Sequence, residues 1–386
     1  MANILFINTH YPPDFQYGGV IESGSTLFKH LRRLSPSIKI SVVSRTPARV
    51  YETLIQGEEG YCYQSIFLHR AGFSLEAFPG LFRDVVNADV VLLNGLFSIH
   101  NTLAFLYIIL FRKKFILALR GGFEPWALKQ KSWKKWPYVF FLSLFIKKAA
   151  YVHVTSSEEQ NSAKRLGFPP ERIINISNGI DVNVFNIAPD KIISRDRNEI
   201  QFGSRFVFLF LSRTDKEKGL DILLAAYRKL CLVLPVKKHV LCIVGPDHQG
   251  YLKGMNLDYA KENIDRIEGV YGEDKLALLR RADTLVLPSY SENFGNVVAE
   301  ALACETPVIT TTGTPWAEIE KVGCGLYIKP EAEALYQAMK AMYSKPEAER
   351  REMGRRGREY VLKNFNWEDK ARELFGYLQK LAPACK

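Results

Sequence analysis

The chain has 386 residues, of which 47% are hydrophobic and 24% are charged. These values exclude a disordered chain, and the length exceeds what one core usually holds, so two domains are expected. The formal charge of +11 favours an anionic partner. Nucleic acid, an anionic lipid and a phosphorylated small molecule all satisfy it, and charge alone does not choose among them.

The first residues, MANILFINTHYPPDF, are typical of a strand that runs into a turn. They have neither the basic region nor the small-residue cleavage site of a signal peptide. The longest apolar runs, at 103–111 and 138–146, are shorter than the ~18–20 residues of a bilayer-spanning helix. The six cysteines form no C-x-x-C pair and no cluster with metal-ligand spacing. We therefore expect a cytoplasmic protein.

Short β-branched runs alternate with amphipathic segments along the chain. In the first half they are ILFIN, IKISVVS, DVVLLN, KFILAL, AYVHVTS and IINIS. A polar stretch at 186–203 predicts a linker, and a second series follows: FVFLFLS, HVLCIVG, RIEGV, DTLVLPS, TPVITT and GLYIK. This alternation indicates parallel βαβ units. It predicts two Rossmann-like α/β domains, at 1–190 and 200–365, with a last helix at about 366–386 that packs back on the first.

The stretch SENFGNVVAEAL follows the predicted strand DTLVLPS and opens a helix near Gly295 or Asn296. Glu292 then lies at the carboxyl end of a strand, where open α/β sheets bind ligands, and the helix start offers free N–H groups to an anion. Glu300, in the second turn, is placed to reach hydroxyl groups. A nucleotide whose diphosphate carries a polyhydroxyl group fits both glutamates. An N-terminal cap beside a surface glutamate is the alternative on spacing alone.

Two further glycine-containing loops follow predicted strands. FLSRTDKEKGLDILL places Arg213 and Lys218 between a strand and a helix, where two cations would neutralise a diphosphate and stabilise its departure. Solvated loop charges are the alternative. HYPPDFQYGGV places Gly18 and Gly19 just before a helix, so their backbone could approach a phosphate. A Gly-Gly pair by itself is more often a simple turn.

Taken in order, the Gly-Gly loop, RGGFEPWALKQKSWKK, SNGIDVNVF, SRTDKEKGLD, IVGPD and the E-x7-E motif resemble the retaining glycosyltransferases of family 4, over nearly the whole chain. The resemblance implies the GT-B fold, with two Rossmann-like domains whose parallel sheets face a central cleft. It also implies transfer of a hexose or N-acetylhexosamine from a UDP- or GDP-sugar to a glycan or lipid-linked acceptor. The usual setting is cell-surface polysaccharide synthesis, including lipopolysaccharide O-antigen.

The resemblance also implies roles for individual residues. Arg213 and Lys218 would hold the diphosphate, Glu300 the ribose and Glu292 the transferred sugar. Gly18 and Gly19 would approach the phosphates from the first domain. The remaining donor-binding positions are Gly245, Asn293, Phe294, Gly295 and Asn296. The diphosphate would leave from an oxocarbenium-like state, so the glutamates are not the acid and nucleophile of retaining hydrolases. No D-x-D motif occurs, and no metal or cofactor is expected.

The chain departs from the family pattern after the strand KFILAL. Arg120-Gly121 stands where many relatives carry His-Gly, a histidine that contacts the donor sugar. Arg120 is therefore a candidate catalytic or acceptor-side residue that contacts an acceptor phosphate, or it belongs to a subfamily variant of the loop. Glu124 is the nearest acidic residue and a candidate partner for Arg120.

Cations and interfacial aromatics alternate in ALKQKSWKKWPYVFFLSLFIKK, which includes Trp133, Lys134, Lys135 and Trp136. Such a segment can lie on an anionic bilayer. A core helix with a basic flank is the alternative. The membrane reading predicts peripheral attachment at the cytoplasmic face of the inner membrane.

Other functions fit the sequence less well. A GT-B epimerase would lack this E-x7-E context, a phosphorylase would need a pyridoxal lysine site, and a dehydrogenase would need G-x-G-x-x-G after a strand. A basic, non-catalytic protein that binds membrane or nucleic acid would present a continuous basic face. Arg213 and Lys218 instead fall at strand ends beside glutamates, which argues against nucleic acid.

Overall fold

The computed structural model describes residues 2–9, 11, 19–44, 60–64, 77–123, 142, 145–185, 202–247, 250–255 and 257–382. The chain divides into two compact units. The first comprises Met1–Asn178 and Trp367–Lys386, and the second comprises Gly179–Asn366. The first unit therefore ends before the predicted boundary at residue 190.

Among the described residues, seven parallel strands form the sheet of the first unit, in the order β3-β2-β1-β4-β5-β6-β7. The strands are β1 (Ile4–Asn8), β2 (Ile38–Ser44), β3 (Gly60–Gln64), β4 (Val90–Asn94), β5 (Lys114–Ala118), β6 (Tyr151–Val154) and β7 (Ile173–Asn175). The helices are α1 (Gly19–Leu34), α2 (Ala77–Asn87), α3 (Ile99–Leu110) and α4 (Ser157–Arg165).

Helices cover both faces of this sheet, so its central strands are apolar on both sides. Every residue of β1 is buried. Because side chains alternate along a strand, Ile4 and Phe6 pack in the layer that contains α1, whereas Leu5 and Ile7 pack in the layer that contains α2 and α3. The run ILFIN therefore contributes side chains to the core layers on both faces of the sheet.

Six parallel strands form the sheet of the second unit, in the order β10-β9-β8-β11-β12-β13. The strands are β8 (Phe206–Leu211), β9 (His239–Val244), β10 (Ile264–Ile267), β11 (Thr284–Leu287), β12 (Val308–Thr311) and β13 (Gly325–Ile328). The helices are α5 (Val182–Phe185), α6 (Leu220–Val233), α7 (Gly272–Arg281), α8 (Asn296–Ala303), α9 (Glu318–Val322), α10 (Ala332–Ser344) and α11 (Glu347–Asn364).

The last helix, α12 (Trp367–Leu381), belongs to the first unit. Trp367, Ala371, Leu374 and Leu378 recur at helical spacing and are buried in the same core layer as α1. Among the helices in the described ranges, none combines the length and the apolar character that crossing a bilayer demands.

Both sheets have the strand order of a Rossmann fold, and the order reverses beside the first strand of each unit. The reversal falls between β1 and β4 in the first sheet and between β8 and β11 in the second. Open α/β sheets bind ligands outside the carboxyl ends of the strands at this switch point. The prediction of two Rossmann-like α/β units is confirmed, and the two switch points are the places to look for a site.

Candidate active site

At the switch point of the second unit, the loop after β8 meets the loop after β11. A 3-10 turn, Lys216–Lys218, ends at Gly219, which has a φ of +68° and begins α6. A Cβ at Gly219 would collide with the carbonyl oxygen of Pro288, so glycine permits this close approach. The Tyr290 N–H donates to the carbonyl oxygen of Glu217 at 2.8 Å and joins the two loops.

Lys218 and Glu292 form an ion pair across these loops. Lys218 Nζ lies 2.8 Å from Glu292 Oε1, and the two side chains are only 10% and 12% exposed. Ser289 Oγ donates to the same Oε1 at 2.9 Å, and the Glu292 N–H donates to the carbonyl oxygen of Gly313 at 2.8 Å. Glu292 Oε2 accepts no hydrogen bond from any residue that the structure describes. The carboxylate is therefore held at one oxygen and available at the other.

Arg213 lies on the same sheet edge and is more exposed. Its Nη1 is 2.8 Å from Asp215 Oδ2, and its side chain is 39% exposed. Gly245, just after β9, has a φ of +138°, and a Cβ there would collide with the carbonyl oxygen of Ser212. The loop after β8 therefore runs against the backbone after β9. This packing requires glycine at position 245.

The Phe-Gly-Asn step shapes the start of α8. Phe294 is buried and packs its ring against that of Trp316, whose Nε1–H donates to the Phe294 carbonyl oxygen. Gly295 has a φ of +76° and precedes the helix, which begins at Asn296. Asn293 Oδ1 is buried and has no hydrogen-bond partner within the described part of the chain. The aromatic anchor sets the direction of α8, whose first N–H groups can bind an anion.

The second glutamate of the E-x7-E motif has a partner that the sequence did not indicate. Glu300 Oε1 lies 3.0 Å from Lys275 Nζ of α7, with the two side chains 11% and 9% exposed. The two residues are 25 positions apart, so no local spacing links them. Sequence reasoning missed Lys275 for that reason.

The switch point of the first unit carries amides and one arginine. Asn8 and Asn94 end β1 and β4 and are register partners. Asn94 Nδ2 donates to Asn8 Oδ1 at 3.0 Å. Arg120 Nε donates to Asn94 Oδ1, and Arg120 Nη1 donates to Asn178 Oδ1 at 2.8 Å. A chain of amides thus fixes the guanidinium at the sheet edge.

These residues border a pocket of about 280 Å³. We call it the Arg120 pocket, and its lining includes Asn8, Thr9, Asn94, Phe97, Ser98 and Arg120. Arg120 Nη2 is buried without a hydrogen-bond partner in the described ranges. Arg120 has a φ of +51°, an unusual value for a residue with a side chain. Strained backbone of this kind clusters at functional sites.

Among the described residues, Arg120 forms no hydrogen bond with a carboxylate. Glu159 raises the pKa of Arg120 through its charge but accepts its own hydrogen bonds from Gly121 N and from Thr155. Burial lowers the pKa of Arg120 to about 10, and Glu159 only partly offsets this. Burial, and then the positive charge of Arg120, lower the pKa of His153 to about 3, so that this histidine is neutral at ordinary pH.

The remaining predicted site residues divide into two groups. Gly19 begins α1, and Gly245 and Asn296 stand beside the loops described above. The others lie outside the described residues: Gly18, Glu124, Trp133, Lys134, Lys135 and Trp136. The predicted pairing of Arg120 with Glu124 and the predicted membrane segment therefore stay predictions.

Two family models match consecutive parts of the chain. The model Glycosyltransferase Family 4 matches residues 17–184, and Glycosyl transferases group 1 matches residues 193–360. An uncharacterized 41.2 kDa protein in the cps region of Klebsiella pneumoniae is 25% identical over 271 residues, which cover 68% of this chain and 73% of that protein.

A D-inositol 3-phosphate glycosyltransferase of Thermobispora bispora is 34% identical over 149 residues, or 36% of this chain. The match spans only 34% of that enzyme's length. Among solved structures, Anabaena HepE in complex with UDP-glucose superposes with a TM-score of 0.78 at 18% identity, covering 98% of this chain and 100% of that one. This likeness establishes the fold, and the two family models together span both units. The chain belongs to the group 1 glycosyltransferases of family 4 and has the GT-B fold.

Proposed function

We propose that the protein transfers a hexose or N-acetylhexosamine from a UDP- or GDP-sugar to a glycan or lipid-linked acceptor, with retention and without a bound metal. The buried Lys218–Glu292 pair at the second switch point is the observation that carries this proposal. Placing two charges in a poorly solvated site is costly for stability. Function is a reason to retain them, because the pair lies at the carboxyl ends of strands at the switch point, where open α/β sheets bind ligands.

The geometry supports different roles for the cations and the helix end around the donor diphosphate. A lysine ammonium has three N–H donors, and Lys218 gives one to Glu292, so two remain for diphosphate oxygens. Arg213 adds a second cation at the same sheet edge, and the N-terminus of α8 adds a positive dipole end. Together they stabilise the negative charge on the departing diphosphate in place of a metal ion.

Glu292 is the residue that we assign to the transferred sugar. Its Oε1 is occupied by Lys218 and Ser289, which leaves Oε2 to accept a sugar hydroxyl. Holding the sugar in one orientation while the diphosphate departs favours attack by the acceptor from the same face, through an oxocarbenium-like state. Glu300 is assigned to the ribose.

The similar proteins suggest which donor and setting to test first. HepE was solved with UDP-glucose, so UDP-glucose is the first donor to test. The Klebsiella relative is described by its place in the cps region, which supports a role in cell-surface polysaccharide synthesis. A lipid-linked acceptor would bring the protein to the cytoplasmic face of the membrane as a peripheral protein.

The acceptor that we propose carries an anionic group, a phosphate or a carboxylate. Arg120 presents a buried Nη2 without a partner in the described ranges, and only amide oxygens receive its other hydrogen bonds. A guanidinium binds phosphate and carboxylate through paired N–H groups. The Arg120 pocket is therefore assigned to the anionic end of the acceptor.

Thermal-shift binding in metal-free buffer tests the donor assignment. The ligands are UDP, GDP, ADP, NAD and UDP-glucose, with the wild type and Lys218→Ala compared. We expect one nucleoside diphosphate and its sugar to stabilise the wild type and to lose this effect in the variant. No response to any sugar nucleotide, or a response to NAD alone, would overturn the proposal. A loss of transfer in EDTA that a divalent ion restores would contradict metal independence.

A further inference from the structure

Helix α2 exposes a stripe of large apolar side chains. Phe78, Phe82 and Val86 are 37%, 43% and 36% exposed, and their spacing of four residues puts them on one face of the helix. The opposite face of α2 contributes Leu81 and Val85 to the core. The helix is therefore apolar on both the buried and the exposed side.

Helix α3 continues this surface. Leu106 and Leu110 are 43% and 69% exposed. The Phe82 ring lies 5.7 Å from that of Tyr107 and 5.2 Å from that of Phe111, so the two helices are in contact. We define the α2–α3 surface by its exposed members: Phe78, Phe82, Val86, Ile99, Leu106 and Leu110. Single exposed apolar residues are ordinary, but a contiguous set marks an interaction site.

The charges beside this surface are positive. Arg83 has a side chain that is 62% exposed, and its Nε lies 3.6 Å from Oδ1 of the buried Asp84. Arg112, just after α3, is exposed. The sequences of α2 and α3 contain one acid, Asp84, whose side chain is 1% exposed. Apolar side chains flanked by cations are the composition that binds the headgroup region of an anionic bilayer.

A second copy of the chain is a less suitable partner for the α2–α3 surface than an anionic bilayer. A symmetric dimer through this surface would bring together two patches whose exposed charges are all positive. An anionic bilayer supplies the opposite charge. The surface also begins beside the Arg120 pocket, because Phe97 and Ser98 line the pocket and Ile99 is the next residue.

We propose that the α2–α3 surface docks on an anionic lipid bilayer and thereby presents the Arg120 pocket to acceptors held in the membrane. The docking is independent of the proposed function. Only the delivery of a lipid-linked acceptor to the pocket rests on that function.

Vesicle sedimentation of the whole protein, without substrates, tests the docking. The vesicles are phosphatidylcholine with or without phosphatidylglycerol. Two double variants are compared with the wild type: Leu106→Ser/Leu110→Ser and Arg83→Gln/Arg112→Gln. The control is Leu232→Ser, because Leu232 is a leucine of the second unit that is 86% exposed. The wild type and the control should bind the anionic vesicles. The Leu106→Ser/Leu110→Ser variant should bind them about tenfold or more weakly. The arginine pair should remove the dependence on phosphatidylglycerol.

Three outcomes would overturn the proposal. In the first, the leucine variant binds vesicles as well as the wild type does. In the second, the wild type binds no vesicles at low salt. In the third, the wild type binds no vesicles but forms a concentration-dependent dimer, which the leucine variant does not form. Leu106 and Leu110 are exposed, so the thermal melting of the Leu106→Ser/Leu110→Ser variant should be unchanged. Sugar transfer to a water-soluble acceptor should also persist in the leucine variant, which separates failed docking from a failed proposed function.

The Lys275–Glu300 pair supports a second, independent inference. Lys275 is 7% exposed and its Nζ lies 3.0 Å from Glu300 Oε1. A buried lysine at this distance fixes the orientation of the carboxylate on α8. If Glu300 binds the ribose, as the proposed function holds, the same contact fixes the direction in which it accepts ribose hydroxyls. We infer that Lys275 is a positioning residue for recognition of the ribose.

The test compares UDP with 2′-deoxy-UDP as binding probes. The wild type should bind UDP more tightly than 2′-deoxy-UDP. Lys275→Met should lose most of that preference and should bind UDP about tenfold more weakly. Lys275→Arg should recover part of the preference and part of the UDP affinity. Lys229→Met, which breaks the exposed pair with Glu333, is the control. A Lys275→Met protein that melts earlier but keeps the full preference would overturn the inference. A wild type that binds no nucleoside diphosphate would instead refute the proposed function.

Discussion

The two switch points hold positive charge in different ways. In the second unit, Lys218 and Arg213 each lie 2.8 Å from a carboxylate oxygen. In the first unit, the side-chain partners of Arg120 within the described ranges are amide oxygens, and no carboxylate of those ranges lies within ion-pair distance of it. A paired cation suits charge that develops only in the transition state. An uncompensated guanidinium suits a ligand that is already charged when it binds.

The amide network explains how the first unit maintains that arrangement. Asn94 accepts from Arg120 and donates to Asn8, while Asn101 Nδ2 donates to the Asn94 carbonyl oxygen at 2.9 Å. These uncharged partners hold the guanidinium without neutralising it.

Removing the paired lysine should have the largest effect. Lys218→Ala takes away charge that opposes the departing diphosphate and leaves Glu292 without its cation, so transfer should fall about 10²- to 10³-fold. Initial rates with a UDP- or GDP-sugar measure this. Lys229→Ala, at an exposed ion pair, is the matched control. Equal rates in the two variants would show that the pair at the switch point has no catalytic role.

Gly245→Ala should cost the most stability. The added methyl group collides with the Ser212 carbonyl oxygen, and the φ of +138° disfavours alanine, so unfolding should become easier by about 3 kcal/mol. In the first unit, a Cβ at Gly24 would lie 2.7 Å from Asn8 Nδ2, a side-chain atom that can move. Denaturant melts should therefore show a smaller loss for Gly24→Ala. A larger loss there would reverse the comparison.

Arg120 should govern binding of a free anion in the first unit. In a Lys218→Ala background, which weakens the donor site, Arg120→Met should reduce affinity for inorganic phosphate about 10- to 100-fold, the value of a charged hydrogen-bonding group. Arg120→Lys keeps the charge but loses the planar fork, so an intermediate affinity is expected. Calorimetry measures all three proteins. Unchanged affinity in Arg120→Met would place the anion elsewhere.

Burial, and then the positive charge of Arg120, make the contribution of His153 to stability depend on pH. Its folded pKa of about 3 lies below the ordinary value of 6.5, so the unfolded chain binds the proton more tightly and acid destabilises the fold. Between pH 7 and pH 5 this histidine should cost about 2 kcal/mol. His153→Gln should remove that part of the loss in urea melts at the two pH values. Identical losses in variant and wild type would contradict the assignment.

Much of the fold follows from local pattern. The runs ILFIN and FVFLFLS predicted β1 and β8 because buried parallel strands are continuously apolar. The strand β3, GYCYQ, was not predicted. It lies at the edge of the first sheet and has no β-branched residue, so it lacks the local signal. The first unit ends at Asn178, ahead of the predicted boundary at residue 190, and Phe185 of α5 packs in the core of the second unit.

Local sequence pattern was enough to predict two α/β units and to place Arg213, Lys218 and Glu292 at the carboxyl ends of strands, because strand period and strand ends are local features. Tertiary packing was needed to bring particular charges together. Lys218 and Glu292 are 74 residues apart, and Lys275 and Glu300 are 25 apart, so their pairing depends on how strands and helices pack. The same packing gave Arg120 its amide partners among the described residues.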